Sequence, residues 1–182
     1  MFDYMGTKLP VKFRSFSELY KINQIAGQLF IEHQIACMFG FWDEALHAME
    51  MMYELRMQNI NNEEELLLPI YQSEIMEIPQ GGAIKFLLRE YELIKKKLNS
   101  IVRNNSNIVL NNSGNEVNLV KLFEDYHSVK DLLDHHDARD RVFLYKLLDE
   151  NLNKEKRELI LREINVRHDK LMRKLGCRYE YA

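Results

Sequence analysis

His136 and Asp140 stand one helical turn apart in a run that reads His-His-Asp-Ala-Arg-Asp-Arg-Val-Phe-Leu-Tyr from residue 135. Imidazole and carboxylate are ligand types that suit iron and related transition metals. A carboxylate facing a core needs a metal ion, a cationic side chain or a set of hydrogen-bond donors, because stripping its water is costly otherwise. With His136 set at zero and about 100° per residue, Leu122, Tyr126, Val129, Leu132, Leu133, Asp140, Phe143 and Leu147 share its side of a helix. Both groups therefore point inward.

The same arithmetic finds inward polar groups on three other predicted helices. The second helix has a stripe of Ala45, Met49, Met52, Asn59, Glu63, Leu66, Leu67 and Ile70, with Arg56 on its edge. The third has Ile84, Leu87, Leu88, Tyr91, Ile94, Leu98 and Val102, and the first has Leu19, Ile22, Ala26, Leu29, His33, Cys37 and Gly40. Core layers of this composition are how helical bundles build metal and cofactor sites. The candidate metal ligands are Glu63, Tyr91, His136 and Asp140. His33 is placed too low: it lies about 12 Å from the first turn, whereas Glu63 lies about 30 Å from it, at about 1.5 Å per residue.

The elements that must position these groups follow from punctuation. Few Gly and Pro, many Leu, Glu, Lys and Met, and no strand alternation predict an all-α chain. Residues 1–14 read as an irregular leader. A first helix runs from Ser15 or Ser17 to Phe39, closed by Gly40, and Asp43 is the expected N-cap of the second. The second runs to Ser73, with a kink or early stop expected at Pro69. Ile78–Gly82 is the next break, and the third helix runs from Gly82 to at least Val102, or on to Leu110. The run Asn104–Asn115 holds a turn. The fourth covers Glu116–Glu150, and a fifth follows Asn151–Asn153 up to Lys174, closed by Gly176. The predicted fold is an up-down-up-down four-helix bundle over residues 15–150. Residues 151–182 form a C-terminal helix and tail lying across one end or in an outer groove.

Three segments resemble the hemerythrin-like (HHE cation-binding) family. Glu63-Glu64-Glu65-Leu66-Leu67-Leu68-Pro69 is similar to the family's Glu before a Leu-Phe-Pro-like run, and Gly81-Gly82-Ala83-Ile84 to its Gly-Gly-Pro-Ile start of the third helix. His136-x-x-x-Asp140, followed by Leu144-Tyr145, is similar to the His-x-x-x-Glu and Leu-Tyr-Pro of the fourth helix. The resemblance implies a four-helix bundle with a non-haem iron site, usually di-iron, used in oxygen binding or iron sensing. It also exposes departures: Asn59 and Tyr91 stand where the family has ligand histidines, and Lys146 where it has Pro.

Two readings follow. In the first, the site is degenerate: Glu63 and Asp140 are satisfied by imidazolium His136, Arg56, Tyr91 and Asn59, and the chain is a metal-free or weakly metal-binding regulatory or interaction module. The ligand losses favour this reading. In the second, Glu63, His136 and Asp140 hold non-haem iron, with Tyr91 as a phenolate ligand and His135 completing or orienting the set. No nucleophile–base pair, phosphate loop or nucleotide fingerprint supports an enzyme. The net charge of −3 argues against nucleic acid, although residues 151–182 carry nine Lys/Arg against five Asp/Glu. Cys37 and Cys177 are too few and too far apart for a zinc cluster or disulfide framework. Without a signal peptide or membrane span, a cytoplasmic protein is expected. Its expected partners are a metal ion, another protein or a second copy of itself. His47, His127 and His168 are expected at the surface.

Overall fold

The computed structural model describes residues 12–110 and 116–176, all helix, turn or loop, with no strand among them. A 3-10 turn, Phe16–Leu19, leads into α1, Tyr20–Phe39, and Gly40 ends it in the left-handed region at φ 74°. α2 spans Trp42–Asn62, passes through a π turn at Glu63–Leu67, and continues as α3, Leu68–Glu74. A short 3-10 turn at Gln80–Gly82 precedes α4, Ile84–Leu110. α5, Glu116–Arg139, passes through a second π turn, Asp140–Tyr145, into α6, Lys146–Asn151. α7 covers Lys154–Lys174. Residues 1–11 of the expected leader, the end of the Asn-rich turn and Cys177 lie outside the described residues.

Cross-helix bonds fix the directions. Near the α1–α2 turn His33 bonds the carbonyl of Ala45, and far from it Asn59 bonds Asn23, so α1 and α2 are antiparallel. Lys97 meets Ser128 while Glu90 meets His136, which makes α4 antiparallel to α5. Tyr53–Asn99 and Glu64–Lys95 relate α2 to α4 in the same way, and His33–Tyr126 ties α1 to α5. α7 runs back along the outside of α2 and α3, held by Lys174–Glu54, Arg167–Glu65 and Lys156–Glu74. Of the two expected placements for this helix, the outer groove is the one observed.

Several boundaries differ from expectation. Phe41, not Asp43, occupies the N-cap of α2. At the other end of the chain Asn153 does cap α7, its side chain accepting from the Lys156 N–H at 2.9 Å. Pro69 neither stops nor breaks its helix. It has no N–H to give and its ring crowds the carbonyl four residues back; the wider π turn directly before it lets α3 continue.

The π turns also rotate the apolar stripes. Beyond Glu63 the fully buried residues are Leu67, Leu68 and Tyr71, while Leu66 and Ile70 are only half-buried. Beyond Asp140 they are Leu144, Tyr145 and Leu148, in place of Phe143 and Leu147. A π turn holds an extra residue per turn, so everything past it shifts by one position. On α4 the expected stripe needs two changes: Leu88 is 43% exposed, and Ile101 is buried where Val102 was expected.

Candidate metal centre

Both π turns begin at a carboxylate of the predicted site, Glu63 and Asp140. Each is preceded by a polar residue one turn earlier, Asn59 and His136. Side chains four apart on a helix lie on one face, and α2 and α5, each antiparallel to α4 and so parallel to each other, bring the two pairs to one level. Glu63, His136 and Asp140 are all but fully buried, and one candidate ligand atom from each lies within 4.8 Å of the others. Nε2 of His136 is 3.0 Å from Asp140 Oδ2 and 3.6 Å from Glu63 Oε2. The ring of Tyr91 stands edge-on to His136, with centroids 5.1 Å apart. All four predicted residues therefore meet in one layer.

The bonds around this layer divide it into used and unused atoms. Glu63 Oε1 accepts from Asn59 Nδ2 at 2.7 Å and from the hydroxyl of Tyr145. Asn59 also donates to Asn23 Oδ1 at 3.2 Å, so α1 reaches the layer through Asn23. Six buried atoms of the layer lack a hydrogen bond of good geometry: Asn23 Nδ2, Asn59 Oδ1, Glu63 Oε2, the Tyr91 hydroxyl and both Asp140 oxygens. Of these, Asp140 Oδ2 and Glu63 Oε2 face His136 Nε2 as ion-pair partners. Buried polar atoms are rarely left this way. Two carboxylates converging on one histidine nitrogen fit the donor set of a transition-metal ion.

Glu90 orients that nitrogen. Its Oε2 lies 3.4 Å from His136 Nδ1, and Arg139 Nε holds the same carboxylate at 3.0 and 3.2 Å. A carboxylate behind one ring nitrogen turns the other toward a ligand position and raises its basicity. His135, expected to complete or orient the set, stays at the rim, its ring 65% exposed and 3.5 Å from Glu90.

Charge is poorly balanced inside the layer. Burial raises the pKa of Asp140 and the nearby Glu63 charge adds to it; opposed by His136, the net result is about 7. Burial lowers that of His136, but Asp140, Glu63 and Glu90 outweigh it and hold the ring well above its usual value. Tyr91 and Tyr145 are raised by burial and by the same two carboxylates.

The metal-free network expected from the sequence drew on His136 as imidazolium, Arg56, Tyr91 and Asn59, and the structure brings His136 and Asn59 but not Arg56 to the carboxylates. Arg56 is buried but forms a two-point pair with Asp137, at 2.5 and 2.9 Å, and also donates to the carbonyl of Asn23. The Tyr91 hydroxyl makes no hydrogen bond of good geometry, though Glu63 is near enough to raise its pKa. His136 and Asn59 do approach the carboxylates as expected.

The other histidines separate clearly. His33 lies below the layer, with Nδ1 donating to the carbonyl of Ala45 at 2.8 Å and Nε2 accepting from Tyr126 at 2.6 Å. Burial lowers its pKa to about 4. His47 and His127 are exposed as expected. His168 is not: it is 1% exposed, because α7 turns it inward against Phe13, with ring centroids 5.1 Å apart. The strap at Phe13 is held by Asn165, which exchanges bonds with its backbone N–H and carbonyl.

Gly81 and Gly82 let the α3–α4 connection press on the second π turn. A Cβ on Gly82 would fall 2.6 Å from the Tyr71 hydroxyl and 2.9 Å from Phe143 Cβ, and one on Gly81 2.6 Å from Phe143 Cζ. Arg139 then reaches the Gly81 carbonyl while it holds Glu90.

Glu90 and Tyr145 are the site residues that sequence reasoning missed. Tyr145 is nine positions after His136, on the opposite side of an unbroken α-helix, and reaches Glu63 only through the intervening π turn. Glu90 precedes Tyr91 on the shoulder of its stripe; the available signal was Arg139, a cation on the helix that faces it. No protein family, curated protein or solved structure matches this chain.

Proposed function

We infer that this chain is a non-haem iron-binding protein built as an up-down-up-down four-helix bundle of the hemerythrin-like kind. The observation that carries the reading is the convergence of ligand atoms of Glu63, His136 and Asp140 within 4.8 Å of one another in a fully buried layer, with the Tyr91 ring against His136. Arg56, the cation that could have neutralised the carboxylates, is committed to Asp137. That leaves the His136 imidazolium alone to face two buried carboxylates; burying the excess negative charge is costly, and a metal cation removes that cost.

Glu63 Oε2, Asp140 and His136 Nε2 would hold the ion, with the Tyr91 hydroxyl available as a further oxygen ligand. Glu90 and Arg139 would orient His136, and Asn59 and Tyr145 would fix the rotation of Glu63. A bound iron ion would supply a Lewis-acidic, redox-capable centre suited to oxygen binding or iron sensing. Leu67, Leu87, Ile94 and Leu144, about one turn from Glu63, Tyr91 and Asp140 along their helices, are fully buried.

The test is metal analysis of protein produced with added iron and purified without chelators. Iron should co-elute with the chain, and His136→Ala and Asp140→Ala should lose it while keeping the helical circular-dichroism signal. Iron-free wild-type protein that also fails to take up Fe(II) anaerobically would end this reading.

A further inference from the structure

We propose that the centre holds a single metal ion, because its one bridging candidate from α2 has already spent an oxygen. The inference rests on the metal-binding reading above and concerns the number of ions at that site.

A carboxylate that bridges two ions offers one oxygen to each. Glu63 Oε1 accepts two hydrogen bonds, from Asn59 Nδ2 and from the Tyr145 hydroxyl, and both donors are fully buried residues with fixed positions. Asn59 is anchored in turn by Asn23. Only Oε2 remains open, so Glu63 is a one-oxygen ligand to one ion, and Asp140 is left as the single carboxylate of the layer with both oxygens open. The spacing Asn59-x-x-x-Glu63 repeats His136-x-x-x-Asp140, and each precedes a π turn. The architecture thus has two equivalent halves, but only one carries an imidazole. The other half fills the corresponding space with an amide whose Nδ2, a donor, faces the carboxylate.

The charge count agrees. The layer contributes two uncommitted carboxylates, Glu63 and Asp140, beside a neutral imidazole when a metal is bound. One divalent ion balances them; with Tyr91 ionised, one trivalent ion does. Two divalent ions would leave an excess of two positive charges over the protein's own uncommitted anions, to be met by anions from solvent. The next nearest carboxylates cannot offset it, because Glu90 is held by Arg139 and Asp137 by Arg56. An unbalanced buried charge is strongly disfavoured.

The test is anaerobic titration of the metal-free full chain with Fe(II), the end point read by metal analysis after desalting, followed by oxidation and electron paramagnetic resonance. Saturation at one iron per chain is expected. The oxidised form should then give an isolated high-spin ferric signal whose intensity accounts for all the bound iron. Saturation at two per chain, with a spin-coupled, silent ferric pair, would overturn the single-ion assignment while leaving metal binding intact. No uptake at all would overturn the metal-binding reading and this inference with it.

Discussion

Replacing Asp137 by Leu removes the partner of a guanidinium that has almost no water. The side chains of Arg56 and Asp137 are 5% and 11% exposed, and two N–H···O contacts of 2.5 and 2.9 Å join them. Breaking a buried pair by deleting one member costs about 3–5 kcal/mol, since the remaining charge is left uncompensated. The Asn23 carbonyl, 3.2 Å from Nη2, recovers only a neutral hydrogen bond, worth about 1 kcal/mol. A net loss of about 3 kcal/mol is expected. With a urea m-value of about 2 kcal/mol/M, the unfolding midpoint followed by circular dichroism should fall by about 1.5 M. The double variant Arg56→Met, Asp137→Leu should regain most of that loss, because apolar replacements of a buried pair are often neutral or better. Iron uptake supplies a second readout. Asp137 is close enough for its charge to raise the pKa of Asp140, so the unpaired Arg56 cation left by Asp137→Leu should oppose a metal cation nearby and weaken iron binding. If Asp137→Leu unfolded within 1 kcal/mol (about, by the same m-value) of wild type, or the double variant were as unstable as the single, the reasoning about Arg56 would be refuted.

Glu90→Gln should lower iron affinity by about 10- to 100-fold, the usual effect of losing a carboxylate behind a ligating histidine. Competition with a chromogenic chelator measures it, and an unchanged affinity would remove Glu90 from its orienting role. Gly82→Ala should cost about 1–3 kcal/mol of stability through overpacking against Tyr71 and Phe143, read as a lower thermal midpoint. His33 and His168 protonate near 6.5 when unfolded and near 4 when folded, because burial disfavours their charged forms. The unfolded chain therefore takes up these protons first: stability from this source is full above pH 6.5 and gone by about pH 4, with about 3 kcal/mol at stake per residue. His168→Phe should flatten the urea midpoint's dependence on pH over that window, and an unaltered slope would count against a buried neutral His168.

Much of the layer was legible because helical periodicity survives up to the ligands. Glu63, Tyr91, His136 and Asp140 all lie on the stretches where one residue adds about 100°, and Gly40, Asn153 and Gly176 mark helix ends by backbone and capping preferences that act locally. Past Glu63 and Asp140 the same arithmetic fails by one residue, which put Leu66, Ile70, Phe143 and Leu147 inward and hid Tyr145. Nothing local in Glu63–Leu67 or Asp140–Tyr145 announces a π turn; Pro69 gives a reason for one in the first helix, and Lys146 gives none in the second. His168 was misplaced because its neighbours on α7 are charged, and only the docked Phe13 shows that this side of the helix is covered. Arg56 was read as a partner for the site by its position on the stripe, whereas the choice between Asp137 and Asp140 depends on where α5 sits against α2.

The two π turns divide each of two long helices into halves whose faces are set independently. The lower halves, α2 and α5, answer to α1 and α4; of the upper halves, α6 answers to the 3-10 turn at Phe16–Leu19 through Asp149 and α3 to α7 through Glu74 and Lys156. An ion gripped by Glu63 and Asp140 would clamp the widened rung between the halves. Its occupancy would then be felt as torsional stiffness of the rods, and hydrogen exchange of the α3 and α6 amides would report it at a distance from the ion.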